Sequence, residues 1–131
     1  MVKFVSWWGN YYLWTLKKKF RVEFLEEAMH FLETLDQKAA AKVIYNITKA
    51  QSVNDAELFK KLTDDIWEFR TLHRETCYRL FAFWDKRRKD DTVVISTHGM
   101  IKKTMKVPQN ETERALRWMR VYFEKNKLNE K

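Results

Sequence analysis

Between Ile66 and Pro108 the chain reads IWEFRTLH, then ETCYRLFAFWD, then DDTVVISTHGMIKKTMKVP. Three runs rich in aromatic and β-branched residues are separated by short charged connections, a pattern that fits antiparallel strands joined by tight loops. The clearest connection, Lys86-Arg87-Arg88-Lys89-Asp90-Asp91, is expected to be a solvated hairpin tip. Each run also carries arginine, histidine or lysine where a buried strand would be apolar. Burying an unpaired guanidinium is costly. Arg70, Arg79, Lys102 and Lys103 are therefore expected to reach solvent, to pair with acids such as Glu68, or to line an open polar face.

The flanks supply helices. Phe20-Arg21-Val22-Glu23-Phe24 alternates apolar and charged residues, which predicts a half-buried strand. From Leu25 to Leu35 the spacing turns helical, with Leu25, Ala28, Met29, Leu32 and Leu35 on one face. Asp36 is placed to cap a second helix, Gln37 to Ala50, with Ala40, Val43, Ile44 and Ile47 as its buried stripe. The short join between the two predicts an antiparallel helix pair. Gln51 to Glu57 reads as a loop, and Leu58 to Thr63 leads into the strands. After Pro108, Asn110 and Glu113 form a capping-box pattern ahead of a helix bearing Ala115, Leu116, Met119, Tyr122 and Phe123, ending near Asn126. The order β-α-α-β-β-β-α predicts one α+β domain over residues 1–131, with helices against an antiparallel sheet. Residues 1–19 form an aromatic-rich extension, with Trp7, Trp8, Tyr11, Tyr12 and Trp14 ahead of Lys17-Lys18-Lys19. Aromatics interleaved with lysine fit base stacking or a membrane interface, and fit better an edge strand, a hairpin or a partner contact. Phe4 to Leu16 is too short to span a bilayer, so no membrane association and a cytoplasmic location are expected.

Composition narrows the chemistry. A formal charge of +8 points to a polyanionic partner or to solubility alone. Cys77 is the single cysteine, so no intrachain disulfide forms, and within its apolar run it is expected to be a small buried hydrophobe. Gly9, Gly99 and Pro108 are the chain's only glycines and proline, which excludes a glycine-rich phosphate loop. No metal-ligand spacing and no nucleophile elbow occur, so neither metal nor cofactor is expected.

Alternation puts Trp67 and Phe69 on one strand face and Glu68 and Arg70 on the other. Arg79 shares its face with Phe81 and Phe83, opposite Tyr78, Leu80 and Trp84. Both faces of that strand are apolar, so periodicity does not choose the core side. The cations on it form either a phosphate site or a solvated face with ordinary ion pairs. His98 beside Lys102-Lys103 is a candidate general base or acid with a lowered pKa, or a structural residue. His73, next to Arg74, is placed in a loop within reach of ligand, and His30 on a helix surface. A metal-free mechanism on a phosphate substrate matches these residues best.

Asp65-Ile66-Trp67-Glu68-Phe69-Arg70, then Tyr78-Arg79-Leu80-Phe81, then His98 to Pro108 and the Glu-bearing helix after it resemble the RelE/ParE toxin superfamily. Within it they are similar to the HigB-like, phage-derived branch. The likeness spans Phe20 to about Asn126. It implies a RelE-like fold and the toxin of a type II toxin–antitoxin pair, an endoribonuclease cutting mRNA on the ribosome. In such toxins a 2′-hydroxyl attacks the adjacent phosphate without metal, and fixed cations stabilise the developing charge. By position, Arg79 matches the arginine at the scissile phosphate, Lys103 with Lys102 the basic pair on the last strand, and Arg70 the basic residue on the preceding strand. Arg74, His73 and Lys106 would contact RNA. The resemblance also implies a helix-turn-helix (HigA-like) antitoxin, with the complex binding operator DNA. A ParE-like toxin acting on gyrase shares the fold and is the alternative. The chain departs from the RelE type in having no tyrosine at 104–110, and from other HigB toxins in lacking histidine and aspartate after Asn126. The base falls to His98, His73 or a lysine.

Overall fold

The computed structural model describes residues 17–102 and 106–127. The aromatic residues from Trp7 to Trp14 and the candidate Lys103 lie outside them. In chain order the elements are β1 (Arg21–Phe24), α1 (Glu26–Thr34), α2 (Gln37–Ala50), β2 (Phe59–Lys61), β3 (Trp67–His73), β4 (Thr76–Asp85), β5 (Val93–Lys102) and α3 (Gln109–Lys125). They build the expected α+β, RelE-like fold around a five-stranded sheet in the order β1-β5-β4-β3-β2. The strands pair antiparallel except β1, which returns parallel to β5. The three-residue β2 lies in the segment expected only to lead into the strands. It exists because Phe59 pairs with Phe69 and stacks on its ring at 4.3 Å.

Both faces of the sheet are covered. On one side Phe69, Leu80, Ala82 and Val94 pack with Ala28 and Leu32 of α1 and Val43 and Ile47 of α2. On the other, Phe81, Phe83, Val93 and Ile95 meet Ala115, Leu116, Met119, Tyr122 and Phe123 of α3. Periodicity could not choose a core side of β4 because there are two.

Local signals held where a single residue decides and failed where a neighbour overrode them. Asp36 caps α2 as expected, its side chain accepting from the Ala39 amide at 2.9 Å. The Asn110–Glu113 box does not form. Pro108 holds the N-cap position, Asn110 already lies inside α3, and the Thr112 hydroxyl bonds the Gln109 carbonyl. Cys77 is half-buried rather than in the core. The 86–91 hairpin is not wholly solvated. Arg87 bonds Asp85 and the Asn126 carbonyl and lies over the Phe123 ring at 4.9 Å, whereas Arg88, Lys89 and Asp90 are exposed. Among the described residues no helix is long and apolar enough to cross a membrane.

Three features of β3–β5 place the side chains that follow. Arg74 (φ 51°) and Glu75 (φ 65°) make a two-residue turn with both residues left-handed, the geometry whose twist suits a tight hairpin. His73 is consequently the last residue of β3, paired with Thr76, and not part of a loop. The β4–β5 register slips between Phe81 and Ala82, which pair with His98 and Ser96, so Thr97 is an extra residue in β5. Gly99 lies directly under the Phe31 ring of α1, where an added Cβ would come within 2.2 Å of ring carbon.

Candidate functional site

Residues paired across neighbouring strands project from the same face, so the register of β3, β4 and β5 defines rungs. Glu68, Phe81 and His98 form one, Arg70, Arg79 and Met100 the next, and Leu72, Cys77 and Lys102 the third. Successive rungs are about 7 Å apart, two residues along a strand. All lie on the α3 side of the sheet, and α3 begins over the rung that contains His98.

At the centre of the patch is a carboxylate between two guanidiniums. Glu68 is fully buried and accepts a 2.5 Å hydrogen bond from Arg79, which is only 1% exposed. The other Glu68 oxygen makes no hydrogen bond among the described residues and lies 3.9 Å from Arg70 Nε. Two positive charges against one negative leave the cluster cationic. Lys102 on the next rung adds to it. Loss of solvent and then the Arg79 charge lower the Lys102 pKa, Lys106 pushes the same way, and Glu68 and Glu111 oppose it. A lysine whose charged form is disfavoured gives up its proton more readily.

His98 is 2% exposed and stacks on Phe81 with ring centroids 4.9 Å apart. Its Nδ1 lies 2.9 Å from the Thr97 hydroxyl, while Nε2 faces Glu111 Oε1 at 3.3 Å, off the line of a good hydrogen bond. Its pKa is lowered as expected, but from a different cause. Burial is the main reason and Arg114 the second, with Glu111 and Glu27 opposing. Arg114 pairs with Glu27 of α1 and stands 3.9 Å from Glu111, so a chain of charges runs from the surface to the imidazole.

The structure thus brings Arg70, Arg79, Lys102 and His98 onto one face. Lys106 is exposed in the segment leading to α3, and Arg74 is exposed at the β3–β4 turn. His73 is set apart, since its strand position puts it on the α1–α2 face with Trp67, Phe69 and Thr71, and its Nε2 is buried there without a hydrogen bond among the described residues. Sequence reasoning named Glu68 only as a possible ion-pair acid and passed over Glu111 and Arg114. The alternation in β3 was signal enough for Glu68. Nothing local singled out Glu111, because its place follows from how α3 docks.

A concavity of about 380 Å³ opens at the far end of the sheet, among Arg21, Asp85, Arg87, Asp91 and Tyr122. Asp85 lies six residues along β4 from Arg79, about 20 Å at 3.4 Å per residue. Its acids are already bound, Asp91 by Arg21 and Asp85 by Arg87 and Tyr122. Among the described residues no group of three or more histidine, cysteine, aspartate or glutamate side chains converges as metal ligands do.

The family model of the phage derived protein Gp49-like (DUF891) matches residues 30–120, a span that runs from α1 through most of α3 and includes every rung. No curated protein matches the chain.

Proposed function

The chain belongs to the Gp49-like family of phage derived proteins, within the RelE/ParE-like toxin superfamily, and from that premise we propose that it is an RNA-cleaving toxin of the HigB-like branch. The family is one of toxin–antitoxin toxins, which implies an antitoxin partner. The observation that carries the nuclease reading is the cationic patch, with Arg70 and Arg79 on one rung around a buried carboxylate and Lys102 on the next rung of the same sheet face.

Phosphodiester cleavage by a 2′-hydroxyl puts negative charge on the phosphoryl oxygens and on the departing 5′ oxygen. Cations held in place before the reaction stabilise that charge without reorganising. Arg70, Lys102 and Lys106 are the described cations of the patch that a phosphate can reach. Arg79 acts from beneath them. It is closed to solvent in this conformation and fixes the Glu68 carboxylate against which Arg70 is set. Lys103 follows Lys102 in the chain and is assigned to the same patch on the resemblance alone. Arg74 is exposed and open to contact with RNA or the ribosome, whereas His73 on the opposite face is not a phosphate ligand in this reading. The partner is a helix-turn-helix (HigA-like) antitoxin, the complex binds its operator DNA, and the toxin works in the cytoplasm on mRNA at the ribosome.

The deciding experiment pairs induction of the chain in bacteria with mapping of mRNA 5′ ends, alongside Arg70→Ala plus Lys102→Ala. New 5′ ends with the wild type and none with the double variant support the reading. Arrest with intact transcripts and DNA damage would overturn it in favour of gyrase as the target.

A further inference from the structure

We propose that Glu111 is the general base of this site and that His98 is the positioning residue that orients its carboxylate. The assignment rests on the nuclease reading above. It answers a gap in that reading, since His98 is sealed beneath α3 and His73 is on the wrong face.

A general base has to reach the proton and be held while it does so. Glu111 meets both conditions. Its side chain is 18% exposed, against 2% for that of His98. It stands in the first turn of α3, over the rung that adjoins Arg79. Oε1 takes both close contacts, 3.3 Å to His98 Nε2 and 3.9 Å to Arg114, and the other oxygen makes no hydrogen bond or ion pair with the described residues. Arg114 is itself tied to Glu27 of α1, so the carboxylate is braced from two directions. The imidazole is fixed in turn by stacking on Phe81 and by the Thr97 hydroxyl. With Nε2 carrying the hydrogen, Nδ1 accepts from Thr97, and the Nε2–H faces Glu111 Oε1 at 3.3 Å as a charge–dipole contact and not an aligned hydrogen bond. Lys102 lies two rungs along the same face from His98, so the Glu111 carboxylate and the Lys102 ammonium belong to the rungs on either side of Arg70 and Arg79.

In the step this implies, Glu111 takes the proton from the substrate 2′-hydroxyl and O2′ bonds to the adjacent phosphorus. The P–O5′ bond breaks, and O5′ takes a proton from the Lys102 ammonium. The products are a 2′,3′-cyclic phosphate and a 5′-hydroxyl. One proton returned through water from Glu111 to Lys102 resets the site.

The test uses the full chain and a short RNA, with ribosomes supplied, and follows cleavage against pH for wild type, Glu111→Gln and Glu111→Asp. Binding is measured to the same RNA carrying a 2′-deoxy residue at the cleavage position, and folding by thermal denaturation. Glu111→Gln is expected to lower kcat by about 10²-fold or more and to erase the acidic limb of the pH profile, with binding and melting unchanged. Glu111→Asp is expected to keep that limb at a reduced rate, and it decides the matter if the glutamine variant does not fold. Wild-type kcat and pH profile in Glu111→Gln would overturn the assignment while leaving the nuclease reading intact. A wild-type chain that cuts no RNA, with or without ribosomes, would overturn both.

Discussion

The Glu68 carboxylate and the Arg79 guanidinium meet diagonally across β3 and β4 at 2.5 Å, and both are closed to solvent. Removing two charges from water is expensive, and their mutual attraction offsets much of that only while both are present. Glu68→Ala leaves Arg79 buried without this partner, and a loss of about 3–5 kcal/mol of stability is expected. Urea denaturation measures it. Replacing both residues together by leucine and methionine is expected to recover much of the stability and none of the toxicity. Glu68→Ala within about 1 kcal/mol of wild type would show that the pair does not hold the sheet centre.

Gly99 has no side chain because Phe31 occupies the space one would fill. Gly99→Ala forces the ring or the strand to move, and overpacking of this kind costs about 1–3 kcal/mol. Phe31→Ala in the same chain is expected to cancel most of that further cost, since the clash disappears with the ring. Simple additivity of the two single changes in a double-mutant cycle would contradict the contact.

Asp85 and Tyr122 make stability depend on pH at both extremes. The Arg87 hydrogen bonds, more than any other contact, hold the Asp85 carboxyl down at about 2. Its folded pKa lies below the unfolded value near 4, so its contribution is present above pH 4 and fades as pH falls toward 2. The side chain is only 11% exposed, and about 2 kcal/mol is expected to be lost in that window. Loss of solvent, then the bond to Asp85, pushes Tyr122 up to about 12. A raised pKa works in the other direction, with stability present below pH 10 and lost as pH rises toward 12. Chemical denaturation across pH should show Asp85→Asn flattening the acid slope and Tyr122→Phe the alkaline one. Unchanged slopes in the variants would contradict this account.

Glu75 sits at φ 65° in the β3–β4 turn, a conformation that glycine adopts without steric cost. Glu75→Gly is expected to raise stability by about 0.5–1 kcal/mol, because relief of the left-handed strain outweighs the added freedom of the unfolded chain. The RNA-contacting candidate Arg74 is untouched by the change, so toxicity should be retained. A lower melting temperature would mean that Glu75 makes a contact worth more than its backbone strain.

Much of the fold was legible because it depends on local period. Alternation in Trp67 to Arg70 and in Tyr78 to Trp84 assigned those side chains to the faces they occupy, and 3.6-residue spacing found α1, α2 and the apolar side of α3. Asp36 was readable as a cap because capping involves a few consecutive residues. The grouping of Arg70 with Glu68 followed from the same alternation.

What the sequence determined by itself, then, was the set of strands and helices, the face each β3 and β4 residue takes, and the family to which those motifs are similar. Only the tertiary structure decided the side on which the candidate chemistry meets. The extra residue Thr97 shifts the alternation in β5, so His98 and Lys102 fall on the same face as Arg79 and not on the opposite one. A bulge of this kind is set by pairing with another strand and by packing, and it leaves no mark in the period of its own segment. The docking of α3 likewise closed His98 to solvent and brought Glu111 to it, a contact between residues thirteen positions apart that a helix and a strand make only after they pack.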